Sequence, residues 1–506
     1  MVMICITGRE KTTQALNDRL ARFSNAPLQE IRLDFADHPS SFLEIPTKQG
    51  NKAGDLIITC RTESQGGKYR GDERQRAELL ARAFSQPNRL VDIEWTAGPE
   101  LATFLAEKGR VIVSHHVFDE NWELSEMIRI LDDMVQGPAH VMKLALNVSD
   151  VARYADIKTL LHRFPQKPLV FAPMGDGASI GRVFYRFFKS PWTYVAADKE
   201  NQTAAGQLCT DELENLGIDL QHTHADAQNE NKLLVLLGGS QTIHSPGPPV
   251  YNFLFRKAGL PYVYLPAPTA NPKKAIAALK PMGLSGAAVT MPHKDAAAGL
   301  CKSMKGPARI LESINTMVLT DNGWEGFSTD GQGAVSALED HLKRLSKETC
   351  SPVEVCVLGA GGAARAAALS LKEAGANVTL FARRPEKALK LAKGLRVKPW
   401  NPEKHTSWDV LINATPVGSR KGEEACSPLA FPEQLDLSGR VVMDMIHRPV
   451  TTTLLKDAKE RGAAIVPGIE MWIHQGIEQL QLWTGECFTA DMIRPPALSI
   501  LKNNPE

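Results

Sequence analysis

The stretch that decides the fold reads Val353-Glu354-Val355-Cys356-Val357-Leu358-Gly359-Ala360-Gly361-Gly362-Ala363-Ala364-Arg365. Its first six residues are an apolar, β-rich run of buried-strand length. An Ala/Leu-rich helical segment continues to Ala374, Gly375 stops it, and a new strand is predicted over Asn377–Phe381. Strand, glycine loop, helix and strand within ~30 residues give the Gly-x-Gly-x-x-Ala spacing of Gly359, Gly361 and Ala364 its meaning, that of a Rossmann dinucleotide-binding unit. Gly359 permits the tight turn and Gly361 lets the backbone approach a pyrophosphate. The helix N-terminus, reached through Ala360, Gly362 and Ala363, supplies N–H groups and a positive dipole end. The end of the second strand decides between cofactors. An NAD site usually places Asp or Glu there, whereas this chain reads Phe381-Ala382-Arg383-Arg384-Pro385-Glu386-Lys387. Arg383, helped by Arg384 or Lys387, suits a 2′-phosphate, so NADP is the predicted cofactor.

Around this unit lie 506 residues, about three domains at roughly 150 residues each. The formal net charge is +1, which gives no global pull toward nucleic acid or an anionic membrane. No uninterrupted apolar run approaches the ~18 residues of a membrane span. The eight cysteines are scattered without CxxC, as suits a reducing compartment. Residues 1–10 turn charged after a short apolar stretch, with no leader pattern, and predict a cytoplasmic protein. No HExxH, CxxC or paired carboxylate cluster points to a metal. The partners predicted are small molecules; the sequence leaves the oligomeric state open.

The first ~220 residues have another rhythm. Apolar, β-rich runs stand at Met3–Thr7, Glu30–Phe35, Asp55–Arg61, Arg89–Trp95, Arg110–His116, His140–Leu146, Leu169–Pro173 and Thr193–Ala197. Helix-compatible stretches such as Glu73–Phe84 and Asp119–Val135 lie between them. Eight strands alternating with helices predict a (β/α)8 barrel, whose chemistry belongs at the C-terminal strand ends. Glu30, Arg32, Arg61, Glu94, His115, His116 and Lys143 are charged or titratable residues in otherwise apolar runs, costly there unless they serve a site. The polar segment Gln221–Asn231 reads as a linker, its His222-x-His224 lacking further ligands at useful spacing.

Both halves resemble known families. From residue 233 onward the chain is similar to shikimate dehydrogenase, on His244-Ser245-Pro246-Gly247-Pro248-Pro249-Val250-Tyr251-Asn252, Val289-Thr290-Met291-Pro292-His293-Lys294, Asn315-Thr316, Thr329-Asp330-Gly331, Asn413-Ala414-Thr415-Pro416-Val417-Gly418 and Gly468-Ile469-Glu470-Met471-Trp472-Ile473-His474-Gln475. Residues 1 to about 220 resemble type I 3-dehydroquinate dehydratase, on Glu30-Ile31-Arg32-Leu33-Asp34, Arg61 with Gly66-Gly67, Ser114-His115-His116, Lys143, Gly181-Arg182 and Thr203-Ala204-Ala205-Gly206-Gln207. The order resembles the fused dehydratase–dehydrogenase of the shikimate pathway. The resemblance implies an α/β chain divided into a (β/α)8 barrel at 1–222, a linker at 223–232, a substrate-binding domain at 233–335 completed by helices in 470–506, and a Rossmann NADP-binding domain at 336–469.

In the barrel it implies dehydration of 3-dehydroquinate to 3-dehydroshikimate. Lys143 forms an imine with the ring ketone and His116 is general base, then acid. Arg182 clamps the carboxylate, and Glu30, Arg32, Arg61, Thr203 and Gln207 grip the ring; His115 points to the opposite face of its strand. In the second half it implies reduction of 3-dehydroshikimate by NADPH, with Lys294 and Asp330 as the catalytic pair. Thr290, Asn315 and Gln475 bond ring hydroxyls, Ser245 bonds the carboxylate, and Asn413, Thr415 and Gly468 belong with the cofactor. Four positions depart from the family patterns. Gln65 replaces an acid near His116 and is expected to orient the imidazole, with Glu63 or Glu94 as alternative acids. Gly247 replaces a serine, Ser328 an asparagine and His447 a tyrosine. Gly247 leaves room for quinate's extra hydroxyl, so a quinate-preferring dehydrogenase is the sharpest alternative; a catalytically weak sensor of pathway intermediates is another.

Overall fold

A computed structural model describes residues 3–45, 55–217, 232–349, 351–391, 394–399, 407–419, 426–432 and 435–503. The chain divides into two compact units, Met1–Leu284 and Ser285–Glu506. The expected linker lies outside the described residues apart from Lys232, which opens a strand.

In the first unit, β1 (Ile4–Thr7), β2 (Leu28–Arg32), β3 (Asp55–Thr59), β4 (Arg89–Glu94), β5 (Arg110–Val117), β6 (Val141–Leu146), β7 (Leu169–Phe171) and β8 (Thr193–Ala196) form one parallel sheet. Consecutive strands pair from β1 to β7, and β8 returns to β1, which curls the sheet into a nearly closed barrel. Strands buried on both faces read as continuous apolar runs, so their positions are legible in the sequence. The second strand is the exception: it ends at Arg32, and Leu33–Phe35 form a 3-10 turn. That turn brings the Asp34 carboxylate back onto the Arg32 guanidinium, 2.9 and 2.8 Å away.

Side-chain alternation along the strands builds the barrel interior in layers. Cys5, Leu28, Ile57, Leu90, Ile112, Val141 and Val170, one from each of seven strands, join one apolar cluster with Trp192 and Tyr194. Two residues further on, the same faces carry Thr7, Glu30, Thr59, Asp92, Ser114 and Lys143, all buried. A polar layer therefore sits directly on an apolar one, toward the C-terminal strand ends. This unit also holds the parallel pair β9 (Lys232–Gly238) and β10 (Tyr262–Pro268). The chain around them meets the barrel helices, where Asp150 accepts from Ala270 N at 2.9 Å.

The second unit contains β11 (Leu284–Val289), β12 (Ser303–Met304), β13 (Thr316–Thr320) and β14 (Gly323–Phe327). The neighbours β11–β13 and β13–β14 are antiparallel, and β12 pairs with β14 in parallel. A second sheet has the parallel order β17 (Arg396–Pro399), β16 (Asn377–Ala382), β15 (Glu354–Leu358), β18 (Val410–Asn413), β19 (Val441–Asp444) and β20 (Ala464–Val466). Counted within the sheet this is 3-2-1-4-5-6, the doubly wound dinucleotide-binding order, with its switch point between β15 and β18. The long helix Asp330–Thr349 packs on Gly362–Glu373 and on Gly468–Thr484. At Gly333 a Cβ would stand 2.8 Å from Gln475 N, so the missing side chain lets two helices that carry site residues approach.

Candidate active sites

The barrel pocket is lined by Glu30, Arg32, Arg61, His116, Lys143, Arg182, Thr203 and Gln207. The fold thus gathers into one place all eight residues expected for the first reaction. Lys143, in the middle of β6, points its Nζ at Asp92 Oδ2, 3.0 Å away. Glu30 Oε1 stands 3.9 Å from the same nitrogen, and the Tyr194 ring centroid 4.2 Å. Glu30 is fixed by the hydroxyls of Thr7 and Thr59, at 2.7 and 2.8 Å. Arg61 spreads its guanidinium between Asp92 and Glu94, at 2.8 and 3.2 Å. Thr203 and Gln207, in the segment after β8, are joined at 3.0 Å.

Two cations contrast in their pairing. Arg32 is held in a fork by Asp34. Arg182 is buried, donates through Nη1 to the Tyr194 carbonyl at 3.0 Å, and has no partner for its Nε. No ion pair joins Arg182 to a described carboxylate. Burial pushes its guanidinium down to about 10. A buried, unneutralised fork is a socket for an anion.

His116 stacks against Phe118 at 6.5 Å, and its Nδ1 is buried without a partner. Burial first, then the charges of Arg61 and Lys143, hold its imidazole well below the usual range, so the ring is neutral near pH 7 and competent as a base. Gln65 does not orient that ring. Its Oε1 accepts from the His116 backbone N–H at 2.9 Å, and its Nε2 reaches the His116 carbonyl at 3.5 Å. The amide carries both a donor and an acceptor, so it brackets a peptide group, as a carboxylate could not. Neither alternative acid reaches the imidazole through a hydrogen bond: Glu63 binds Arg70, and Glu94 binds Arg61, Arg76 and the Thr62 N–H. His115 lies edge-on to Trp95 at 5.5 Å.

The second constellation lies in the second unit. Lys294 opens a short helix after β11 and pairs with Asp330 at the head of the helix Asp330–Thr349. Asn315 donates to Asp330 Oδ1 at 2.8 Å, to Thr329 Oγ1 at 2.9 Å and to Gln475 Oε1 at 3.3 Å. Its Oδ1 accepts from Thr329 N at 2.9 Å. Gln479, one helical turn beyond Gln475, supports the Asn315 carbonyl at 3.1 Å. Thr290 is half-buried at the end of β11. Ser245 belongs to the first unit, where its Oγ accepts from Gly247 N at 3.1 Å.

The glycine loop follows β15 as expected. Gly359 has φ +115°, a conformation that favours glycine, and beyond Gly361 a Cβ would meet nothing within 4 Å. The helix Gly362–Glu373 starts without a side-chain cap, so its first N–H groups are left for an anion. These features fit a pyrophosphate. The same loop runs beside the Lys294–Asp330 pair: a Cβ on Gly362 would stand 3.6 Å from Lys294 Cδ. Ala360 and Ala363 flank these glycines in the loop. Arg383 and Arg384 are exposed just beyond β16 with no ion pair to a described residue, and the Lys387 side chain lies outside the described residues. Asn413, ending β18, accepts from Thr415 N and Oγ1 at 3.0 and 2.7 Å and donates to Asp444 at 3.0 Å. Gly468 is buried at the start of its helix. Burial next to Arg448 takes His447 down to about 4, a neutral ring where the family has tyrosine.

Asp92 and Gln479 are participants outside every sequence motif, and Ser114 and Thr329 lie in motifs that assign them no role. Asp92 had a signal: it shares the inward face of β4 with Glu94, two residues away.

Together these geometries define an α/β enzyme with a lysine-centred (β/α)8 lyase site and a Rossmann oxidoreductase site. Comparison with known proteins specifies it further. Residues 3–221 match the type I 3-dehydroquinase family, and residues 237–317 match the shikimate dehydrogenase substrate-binding domain. The chloroplastic bifunctional 3-dehydroquinate dehydratase/shikimate dehydrogenase of Arabidopsis thaliana is 27% identical over 484 residues, 91% of this chain and 78% of that protein. The shikimate dehydrogenase (NADP+) of Methanothermobacter thermautotrophicus is 34% identical, over 51% of this chain and 91% of its own. That of Pyrococcus abyssi is 35% identical, over 52% and 96%. The chain belongs to the shikimate dehydrogenase family and carries a type I 3-dehydroquinase unit ahead of that part. Among the described residues no helix is long and apolar enough to cross a membrane.

Proposed function

We infer that the chain catalyses two consecutive steps of the shikimate pathway, dehydrating 3-dehydroquinate to 3-dehydroshikimate and reducing that product to shikimate with NADPH. The observation that carries this reading is the presence, in one chain, of Lys143, His116 and the unneutralised Arg182 around one barrel pocket, and of the Lys294–Asp330 pair against a dinucleotide loop.

In the barrel, Arg182 receives the substrate carboxylate and so fixes the ring ketone over Lys143. Lys143 Nζ adds to the ketone, and loss of water leaves a protonated imine. Neutral His116 removes the proton from the adjacent carbon, and the electrons pass to the imine nitrogen. The resulting imidazolium returns its proton to the hydroxyl on the carboxylate-bearing carbon, which leaves as water. Hydrolysis of the imine frees 3-dehydroshikimate and Lys143. Gln65 keeps the His116 peptide in place throughout.

In the second unit, the glycine loop, the bare helix terminus, Thr415 and Arg383 would hold NADP, which supplies a hydride when bound. Lys294 donates to the ketone oxygen as charge develops there, and Asp330 fixes the lysine and a substrate hydroxyl. The network from Asn315 to Thr329 and Gln475 holds Asp330 in one orientation. The test is a coupled assay with variants. Lys143→Ala loses turnover of 3-dehydroquinate but keeps NADPH-dependent reduction of added 3-dehydroshikimate; Lys294→Ala does the reverse. A Lys143→Ala chain that still dehydrates overturns the assignment.

A further inference from the structure

We propose that Asp92 is a further catalytic residue of the barrel, its carboxylate holding the positive charge on Lys143 Nζ while the imine acts as electron sink. The proposal rests on the imine reading of Lys143 and deepens it.

The geometry is that of a prepared counter-ion. Asp92 lies fully buried on the inward face of β4, in the polar layer between the apolar barrel floor and the pocket mouth. Its Oδ2 is 3.0 Å from Lys143 Nζ and 2.8 Å from Arg61 Nη2. Its Oδ1 accepts from the Ser114 hydroxyl at 2.6 Å, and that hydroxyl in turn accepts from Arg61 Nη1 at 2.7 Å. Three neighbours, Arg61 just beyond β3, Ser114 on β5 and Lys143 on β6, thus fix both oxygens before substrate arrives, so no reorganisation is needed when charge forms. Glu30 is less suited. It stands 3.9 Å from the nitrogen, and both its oxygens already serve threonine hydroxyls. The Tyr194 ring, 4.2 Å from Nζ, adds its negative face to the same cation.

The chemistry needs this charge held. The amine adds to the ketone, one of its hydrogens passes to the oxygen, and with one further proton from solvent that oxygen leaves as water. The nitrogen keeps a single N–H and a full positive charge. Only this protonated imine draws electrons from the neighbouring C–H bond when His116 takes the proton. Asp92 Oδ2 is the nearest carboxylate oxygen to accept the remaining N–H. Burial alone would raise the Asp92 carboxyl, but Arg61, Lys143 and the Ser114 hydroxyl hold it well below the usual carboxylate range, so it remains an anion.

The experiment uses the full chain. Borohydride trapping with 3-dehydroquinate and steady-state dehydration are compared in the wild type and in Asp92→Asn, together with calorimetric binding of quinate, which has no ketone and forms no imine. Loss of one charge-assisted bond predicts that trapping and dehydration fall about 10–150-fold, with quinate affinity within about threefold. A wild type that traps no ligand on Lys143 overturns the function reading itself. A wild type that traps, with Asp92→Asn trapping equally fast, overturns only the role of Asp92, as does a parallel loss of quinate binding. Should Asp92→Asn not fold, Ser114→Ala keeps the carboxylate but frees its Oδ1; slower trapping with unchanged quinate binding supports the proposal, and unchanged trapping overturns it.

Discussion

Replacing Arg182 with methionine separates function from stability in opposite directions. The guanidinium is buried, makes one hydrogen bond to a backbone carbonyl, and leaves Nε without a partner. Burial lowers it to about 10, so the empty protein bears the cost of a buried charge with no counter-ion. A substrate carboxylate in the fork would gain two charge-assisted hydrogen bonds, each worth about 1.5–3 kcal/mol. Arg182→Met should therefore lower kcat/KM for 3-dehydroquinate by about 3–5 kcal/mol, roughly 10²–10⁴-fold, after part of the gain is offset by desolvating the carboxylate. The same change removes a buried, unpaired charge and fills the space with an apolar chain of similar reach. The ligand-free protein should then be as stable as the wild type or more so, by up to about 2 kcal/mol. The assays are steady-state dehydration and denaturant unfolding followed by a signal from the barrel. A dehydration rate near wild type refutes the carboxylate socket; a destabilisation of several kcal/mol shows that the arginine is a structural strut.

Three further outcomes follow from the two sites. Arg383→Ala should weaken NADPH binding by about 10–150-fold, one charge-assisted contact, and leave NADH binding nearly unchanged; equal losses refute the 2′-phosphate reading. His116 must be neutral to act as base, and burial with Arg61 and Lys143 holds it below its ordinary 6.5. Dehydration should therefore keep its rate down through pH 6.5 and lose it only as pH falls through the lowered value. An acid limb at or above 6.5 contradicts this, whereas Gln65→Glu, by adding a carboxylate near the ring, should move the limb upward. Gly247→Ser should raise the shikimate-to-quinate ratio of kcat/KM by roughly 5–100-fold. The new Cβ stands 3.2 Å from Tyr264 Cε1 and 3.3 Å from Ser245 Oγ, so the tyrosine must give by a few tenths of an ångström; an unchanged ratio would mean that this position does not sense the substrate.

The strands of the barrel and the β15 loop are legible because burial on both faces leaves an unbroken apolar run, and because glycine spacing after a strand has few other uses. The end of β2 is not, since Glu30 to Phe35 continues the apolar rhythm while Asp34 turns the chain to meet Arg32 and the Arg61 N–H. Residues that bear chemistry on motifs, such as Lys143 and His116, are legible by type. Asp92 was hidden because Arg89-Leu90-Val91-Asp92-Ile93-Glu94 presents three charges, and only register against β3, β5 and β6 shows which one meets Lys143. Gln65 shows the converse limit: a substitution readable in the sequence changes its partner from a side chain to a peptide group, which depends on where the segment after β3 passes β5. The support of Asn315 by Gln479 spans 164 positions and is visible only once the last helices fold back.

The central claim is that one chain performs both reactions in sequence. The most direct measurement supplies purified protein with 3-dehydroquinate and NADPH alone, with no auxiliary enzyme, and follows cofactor absorbance. The account predicts that NADPH is consumed, mole for mole, with shikimate appearing. Accumulation of 3-dehydroshikimate without cofactor loss, or no loss of 3-dehydroquinate at all, would contradict it.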